Sequence, residues 1–435
     1  MARVFIVGGG FGGLSAAKAL GRARDIQVTL LDRRNHHLFQ PLLYQVATAG
    51  LSPAEIAQPI RGILSEFGNI EVLEGEVTDV VLDKKEVVTD FGTFLYDYLI
   101  LACGSLHSYF GHDQWEEHAP GLKTIEQATE IRRRILQSFE EAERTNDLQK
   151  RRYLLTFVVV GGGPTGVELA GAIGEMSRFT LSRDFKRIDS KLARVILVES
   201  GDRVLSAFPK KLSARATRDL EGLGVQVWTH STVTGVDEQG VQIGNERVEA
   251  ATVLWAAGVR AVGLSHALDV PLDRNGRVIV GPDLALEGHP EVFVIGDQSC
   301  FQHQTGQPLP GLAQVAMQQG RFASRTIRHE LEGRPRSQFR YVDKGQLATI
   351  GRSRAVADIW KLHFGGFPAW MIWLFVHIYY LTGFKNRLFV IFQWALSYLT
   401  YSRGARLIVG HDWRIAHAPH AQVPEKPKPE SSPRS

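Results

Sequence analysis

Cysteine is nearly absent: the chain of 435 residues carries two, Cys103 and Cys300. Two thiols cannot make a disulfide framework, and these two do not form a C-x-x-C pair. A reducing compartment is therefore expected, and dithiol redox chemistry has no local support. The apolar stretches near the C-terminus are short. Residues 367–382 and 388–401 contain no Asp, Glu, Lys or Arg. As helices they reach only ~24 and ~21 Å against ~30 Å of hydrocarbon, too short to span comfortably. Charge of one sign is not in excess, with 50 Lys and Arg against 46 Asp and Glu, and neither a nucleic-acid partner nor a metal site is implied. At 44% hydrophobic and 22% charged, with 43 glycines, the composition excludes a disordered, collagenous or polytopic membrane chain. At ~150 residues per domain the length suggests two or three domains.

The net charge of +4 hides a split, because residues 350–435 carry +7 and the first 349 carry −3. The same last fifth is rich in aromatics: residues 360–401 hold 14 of the 40, including half of the eight tryptophans.

Elsewhere strands alternate with helices. Val4–Val7, Val28–Leu31 and Tyr98–Ala102 are short apolar runs, as expected of strands buried on both faces of a parallel sheet, and Leu14–Leu20 is helical between the first two. The run Arg3–Val7 leads straight into a glycine cluster, which predicts an N-terminus that is part of the fold, with no leader. Residues 124–144 read as a connecting helix with opposite charges three and four apart. The opening then repeats about 153 residues on: a strand at Thr156–Val160, a glycine cluster, a helix over Val167–Met176 and a strand at Val195–Val198. This internal duplication predicts an α/β protein with two Rossmann-like dinucleotide-binding domains.

Gly8-x-Gly10-x-x-Gly13 follows a strand and opens a helix, and Asp32 closes the next strand. A dinucleotide needs this arrangement: a tight turn, backbone close to the pyrophosphate, a helix N-terminus beneath it, and an acid for a ribose hydroxyl. Gly161-x-Gly163-x-x-Gly166 repeats the pattern, with Glu199 as its acid after a basic insertion around Ser182–Lys191. One such pattern is weak, since glycine-rich turns join strands to helices in many proteins without ligands. Two copies in register point to FAD plus a nicotinamide cofactor. Glu199 would repel a 2′-phosphate, which favours NADH over NADPH, although Arg33, Arg34 and Arg203 lie close behind the two acids.

The stretches VFIVGGGFGGLSAAKAL, LLDRRNHHLFQPLLYQVATAGLSP, LACGS (101–105) and VVVGGGPTGVELAGAI (158–173) resemble the type II NADH:quinone oxidoreductases, the single-subunit respiratory NADH dehydrogenases of bacteria. The likeness continues through VLWAAGV (253–259), VFVIGDQS (292–299), AQVAMQQG (313–320) and LTGFKNRLFVIFQW (381–394), with AQVAMQQG its most specific motif. Only the connecting helix and the tail fall outside it.

The resemblance implies that the first unit holds FAD and an inserted second unit holds NADH. The implied order is an FAD-binding domain at 1–115, a connecting helix at 116–150, an NADH-binding domain at 151–272, and the rest of the FAD domain with the quinone-site helix at 273–350. A C-terminal membrane-association or dimerisation region at 351–415 and a disordered tail at 416–435 follow. Gly8, Gly10, Gly13, Asp32 and Arg33 would contact the ADP half of FAD, with Val77 near the adenine and Ala102 and Gly104 at the domain junction. Gly296 and Asp297 would lie beside the ribityl chain, although Asp297 also fits a plain turn. Gly161, Gly163, Gly166 and Glu199 would serve NADH, and Gly258 is a further cofactor-binding position.

In AQVAMQQG, Gln314 and Gln318 share a helical face, which the resemblance puts under the flavin ring with the amides on the quinone carbonyls. A hydrated helix surface is the plainer alternative. Glu168 would handle protons near the flavin, though the dipole favours an acid in a helix's first turn in any case. Lys385 would be a basic residue near flavin and quinone, or a lysine snorkelling to lipid headgroups.

For the C-terminal helices, Trp and Tyr enrichment, a polar face of Asn386, Gln393, Ser397 and Thr400, and flanking Lys361, Arg387, Arg403 and Arg406 describe amphipathic membrane anchors beside anionic lipid. A buried helix pair or a dimer seam fits the same composition. The resemblance implies a homodimeric, peripheral enzyme on the cytoplasmic side of the cell inner membrane. It would pass a hydride from NADH to FAD and two electrons to a membrane quinone, menaquinone or ubiquinone, without pumping protons. Two other readings stay open: a flavoenzyme of the same fold such as a sulfide:quinone or disulfide reductase, which needs poised cysteines, and a flavoprotein that mainly binds or senses NADH.

Overall fold

Short strands with no polar face need cover on both sides, and the chain provides it twice on one plan. The computed structural model describes residues 1–360, 362–381, 387–392, 394 and 404–409. In the first unit the strand Ala2–Val7 lies between Ile26–Asp32 and Tyr98–Leu101, all parallel. Ile70–Glu74 and His289–Val294 extend this sheet, and Ala285–Leu286 adds an antiparallel edge. In the second unit Thr156–Val160 lies between Arg194–Val198 and Thr252–Trp255, with Val225–Trp228 beyond. Each unit also carries a three-stranded antiparallel meander, built from 77–81, 86–89 and 92–95 in one and from 233–237, 240–243 and 246–249 in the other. The duplication thus extends to elements that carry no glycine motif. Ile6, Leu30 and Ile100, one from each central strand of the first sheet, are fully buried, each contributing ~1.5–3 kcal/mol of hydrophobic stabilisation.

The helix Phe11–Leu20 packs on the long helix Ala313–Leu331. A Cβ on Gly320 would come within 2.3 Å of the Gly12 carbonyl oxygen, so the last residue of AQVAMQQG lets two helices touch. The Ser324 hydroxyl then donates to the Ala16 carbonyl at 3.0 Å. The two units are tied by Ser105–His107, which pairs antiparallel with Val259–Ala261.

Three expectations change. The connecting helix read at 124–144 is present as Ile125–Arg144, but a second, Leu148–Leu154, begins within the stretch 116–150 and runs past it, because Thr145 is extended and Asp147 caps the second helix by accepting from the Gln149 and Lys150 amides. The boundary expected between 350 and 351 falls inside an antiparallel sheet formed by Gln346–Gly351, Arg354–Ile359 and Leu362–Gly365. The helix Phe367–Tyr380 that follows is not amphipathic. Ala369 and Trp373 are buried on its inner side, and Phe367, Met371, Phe375 and Tyr379 are exposed on its outer side, so both faces are apolar. No helix among the described residues is long and apolar enough to cross a membrane. Lys361, Lys385, Asn386, Gln393, Ser397, Thr400, Arg403 and the tail at 416–435 lie outside the described residues.

Candidate functional site

The two glycine clusters fold into matching cradles. Gly8 and Gly161 have φ of +102° and +109°, a region that side chains rarely adopt. A Cβ on Gly13 would come 1.8 Å from the Gly8 oxygen, and one on Gly166 would come 1.8 Å from the Gly161 oxygen, so each helix presses against its incoming strand. In front of Gly10 and Gly163 a Cβ would meet nothing within 4 Å. Both helices begin there without a side-chain cap, which leaves their first amides free to hold an anion.

The terminal acids are held in the same way. The Gly9 amide donates to Asp32 Oδ2 at 2.6 Å and the Arg34 amide to Oδ1 at 2.7 Å. The Gly162 and Gly201 amides donate to Glu199 Oε2 and Oε1, each at 2.6 Å. Each carboxylate is fixed by one amide per oxygen and retains acceptor capacity for ribose hydroxyls. The cradles and acids fit two dinucleotides. Arg33 is exposed nearby, and Val77 is half-buried at the start of its meander.

At the junction of the units the Ala102 carbonyl closes over Gly8, where a Cβ would come within 2.4 Å of its oxygen. Gly104 follows with φ +73°. The Gly258 carbonyl accepts from the Ser108 amide at 3.3 Å, and Trp255 Nε1 donates to the Ser108 carbonyl at 2.9 Å. Asp297 accepts from the Ser105 hydroxyl at 2.8 Å. The Gly296 amide donates to Oε1 of buried Gln319 at 2.6 Å. Gln319 is the third glutamine of AQVAMQQG. Pairing Gln314 with Gln318 by helical spacing passed over it.

Those two glutamines are engaged elsewhere. Gln314 Nε2 donates to the Gly345 carbonyl at 3.0 Å. Gln318 Nε2 donates to the Val342 carbonyl at 2.9 Å, and its Oε1 accepts from the Val342 amide at 3.0 Å. The pair therefore laces the helix Ala313–Leu331 to the segment that enters the C-terminal sheet, rather than presenting two free amides.

A cavity of ≈ 100 Å³ lies where four elements meet, lined among others by Tyr44, Gln45, Glu168, Thr349, Trp370, Trp373 and Trp394. The helix Pro164–Glu175 reaches the strand Gln346–Gly351 through Gly171, whose Cβ would come 1.9 Å from the Ile350 oxygen. Gln45 Nε2 donates to the Tyr44 hydroxyl at 2.9 Å, and Trp394 Nε1 donates to Gln45 Oε1 at 2.8 Å. Burial pushes the Glu168 carboxyl up to about 8, and only a long 3.4 Å contact from the Thr349 amide opposes it. His377 stacks on Trp373 with ring centroids 4.3 Å apart, and burial holds it down to about 4, hence neutral. Tyr44 and Gln45 lie within a quoted family stretch but carry no spacing signal of their own. Burial also raises both thiols, Cys103 to about 12, so neither is a thiolate near neutrality.

Two parallel-sheet units, each with a cradle and a pinned acid, define a two-dinucleotide oxidoreductase, and residues 2–320 match the pyridine nucleotide-disulphide oxidoreductase family. Residues 344–403 match the NDH2 C-terminal domain. The chain is 46% identical over 418 residues to the type II NADH:quinone oxidoreductase Ndh of Mycobacterium tuberculosis, covering 92% of this chain and 89% of that one. It is 30% identical over 366 residues to the type II NADH:quinone oxidoreductase of Staphylococcus haemolyticus, covering 82% and 90%. The chain belongs to the type II NADH:quinone oxidoreductase family.

Its fold is similar to that of NDH2 from Plasmodium falciparum in complex with NADH, with a TM-score of 0.85 at 21% identity over 94% of this chain and 100% of that one. The sulfide:quinone oxidoreductase of Aquifex aeolicus is a more distant likeness, with a TM-score of 0.70 at 19% identity over 89% and 92%.

Proposed function

We propose that the protein oxidises NADH and reduces a membrane quinone, menaquinone or ubiquinone, with FAD in the first unit and NADH in the second. When bound, FAD supplies the two-electron chemistry, taking a hydride from NADH and reducing the quinone. The chain's own residues bind, orient and protonate. The amides at Gly10 and Gly163 would hold the pyrophosphates, while Asp32 and Glu199 would accept from ribose hydroxyls, with Glu199 disfavouring a 2′-phosphate. Asp297 would accept from the ribityl chain.

One observation carries the quinone step: the tryptophan-lined cavity has in its wall a carboxyl, Glu168, that keeps its proton at neutral pH. Quinone reduction consumes protons, and a protonated acid beside an apolar chamber can supply one. Gln314 and Gln318 would act by holding the C-terminal sheet against the quinone-site helix. Thiol chemistry is disfavoured because both cysteines are held as thiols.

The outer face of Phe367–Tyr380, together with basic residues such as Arg387, would rest on anionic lipid at the cytoplasmic side of the inner membrane, while Arg406 is ion-paired with Asp184 at 2.7 Å. The same region would also mediate a homodimer.

NADH oxidation by the purified protein, with and without a short-chain quinone, tests the central claim. Turnover should rise well above the oxygen background when quinone is added, and an unchanged rate would overturn it.

A further inference from the structure

The segment between the two units does more than connect them: it sends a cation into the junction. Lys123, half-buried in the turn before the helix Ile125–Arg144, donates from Nζ to the Ser105 hydroxyl at 2.6 Å. That hydroxyl donates to Asp297 Oδ2 at 2.8 Å. The direction of this chain has one solution. An ammonium can only donate, so Ser105 must accept from it, and the single hydroxyl proton then goes to a carboxylate that can only accept. Ser105 is itself fixed by the pairing of Ser105–His107 with Val259–Ala261. The turn holding Lys123 is fixed by the Lys123 amide donating to Gln127 Oε1 at 2.9 Å.

The neighbouring groups agree with one positive charge here. Burial lowers the Lys123 pKa while Asp297 raises it. His107, on the same short strand, is pushed down to about 4 by burial and then by Lys123, so it stays neutral. Its Nε2 is buried without a partner among the described residues.

We propose that Lys123 is a positioning residue for the flavin: acting through Ser105, it holds the Asp297 carboxylate oriented for a ribityl hydroxyl. This rests on the assignment of Asp297 to FAD. The relay takes one carboxylate oxygen and leaves Oδ1 for the ligand. Without the ammonium, the Ser105 proton loses its defined direction and Asp297 loses a compensating charge.

Release of FAD from the purified holoenzyme, followed by the rise in free-flavin fluorescence, tests the relay without reference to quinone turnover. Lys123→Met should release FAD roughly tenfold faster, and Lys123→Arg, which restores a donor cation, should stay within about threefold of the parent. Asp297→Asn should also speed release, and Lys123→Met added to it should change nothing further, because the lysine acts only through that carboxylate. Parental release from Lys123→Met, or independent additive effects of the two substitutions, would overturn the proposal. If Lys123→Met does not fold, Ser105→Ala gives the same reading, with parental release again overturning it. Parental release from Asp297→Asn would instead remove the ribityl assignment on which the relay rests.

Discussion

Glu168 retains a proton up to about pH 8, against 4.5 for an ordinary glutamate, because burial penalises its charged form. Between these values the folded chain binds more protons than the unfolded one, so this residue's contribution to stability falls as pH rises across that window. The same proton should matter to turnover. Glu168→Gln should lower quinone-dependent turnover roughly a hundredfold, a typical size for losing a general acid. It should also remove the decline above about pH 8 expected of the parent, while flavin reduction by NADH stays near the parental rate. Stopped-flow reduction and steady-state pH profiles would separate the two half-reactions, and a persisting alkaline limb would exclude Glu168 as the donor. At this scale the sequence discloses the residues that belong to the repeated strand–glycine–helix–acid pattern. Asp32 and Glu199 stand at the ends of the second strands of their copies and bond the Gly9 and Gly162 amides, 23 and 37 residues back, as the pattern requires. It does not disclose partners outside that pattern: the Val342 and Gly345 backbone groups that engage Gln318 and Gln314, 24 and 31 residues away, stand in no repeated motif.

Among the elements, the helix Pro164–Glu175 would, on the proposed function, serve both halves of the reaction. Its N-terminus forms the second cradle, and its side carries Glu168 into the cavity. Gly171 lets it lie directly on the strand Gln346–Gly351. Gly171→Ala should destabilise the protein by about 1–3 kcal/mol, the usual range for an overpacked core, read as a lower urea midpoint. Gly68→Ala, where a Cβ meets nothing within 4 Å, should change the midpoint little. Equal midpoints for the two variants would refute the close approach. Five of the central strands, three in the first unit and two in the second, are legible as short apolar runs around the glycine clusters. The order of the strands in each sheet and the two meanders come from pairings that the runs do not carry. The seating of Phe367–Tyr380 is not legible either, because a helix that is apolar all round has no periodicity to indicate which side turns inward.

For the whole molecule, the outward stripe of Phe367, Met371, Phe375 and Tyr379 is a continuous apolar edge, with Phe375 71% exposed. Met371→Glu combined with Phe375→Glu should weaken sedimentation with anionic vesicles roughly tenfold, since two charges would have to enter the interface. Turnover with a water-soluble short-chain quinone should persist. Full retention on vesicles would move the stripe to a subunit contact. On its inner side this same helix sets Trp370 and Trp373 in the cavity wall, where Trp394 joins them. Three of the chain's eight indoles thus share one small chamber. Ultraviolet light absorbed there is re-emitted within touching distance of any occupant, and an aromatic guest that accepts the excitation darkens the glow. Indole emission, read against that of the five tryptophans outside the chamber, would then gauge whether it is filled, with no dye or label attached.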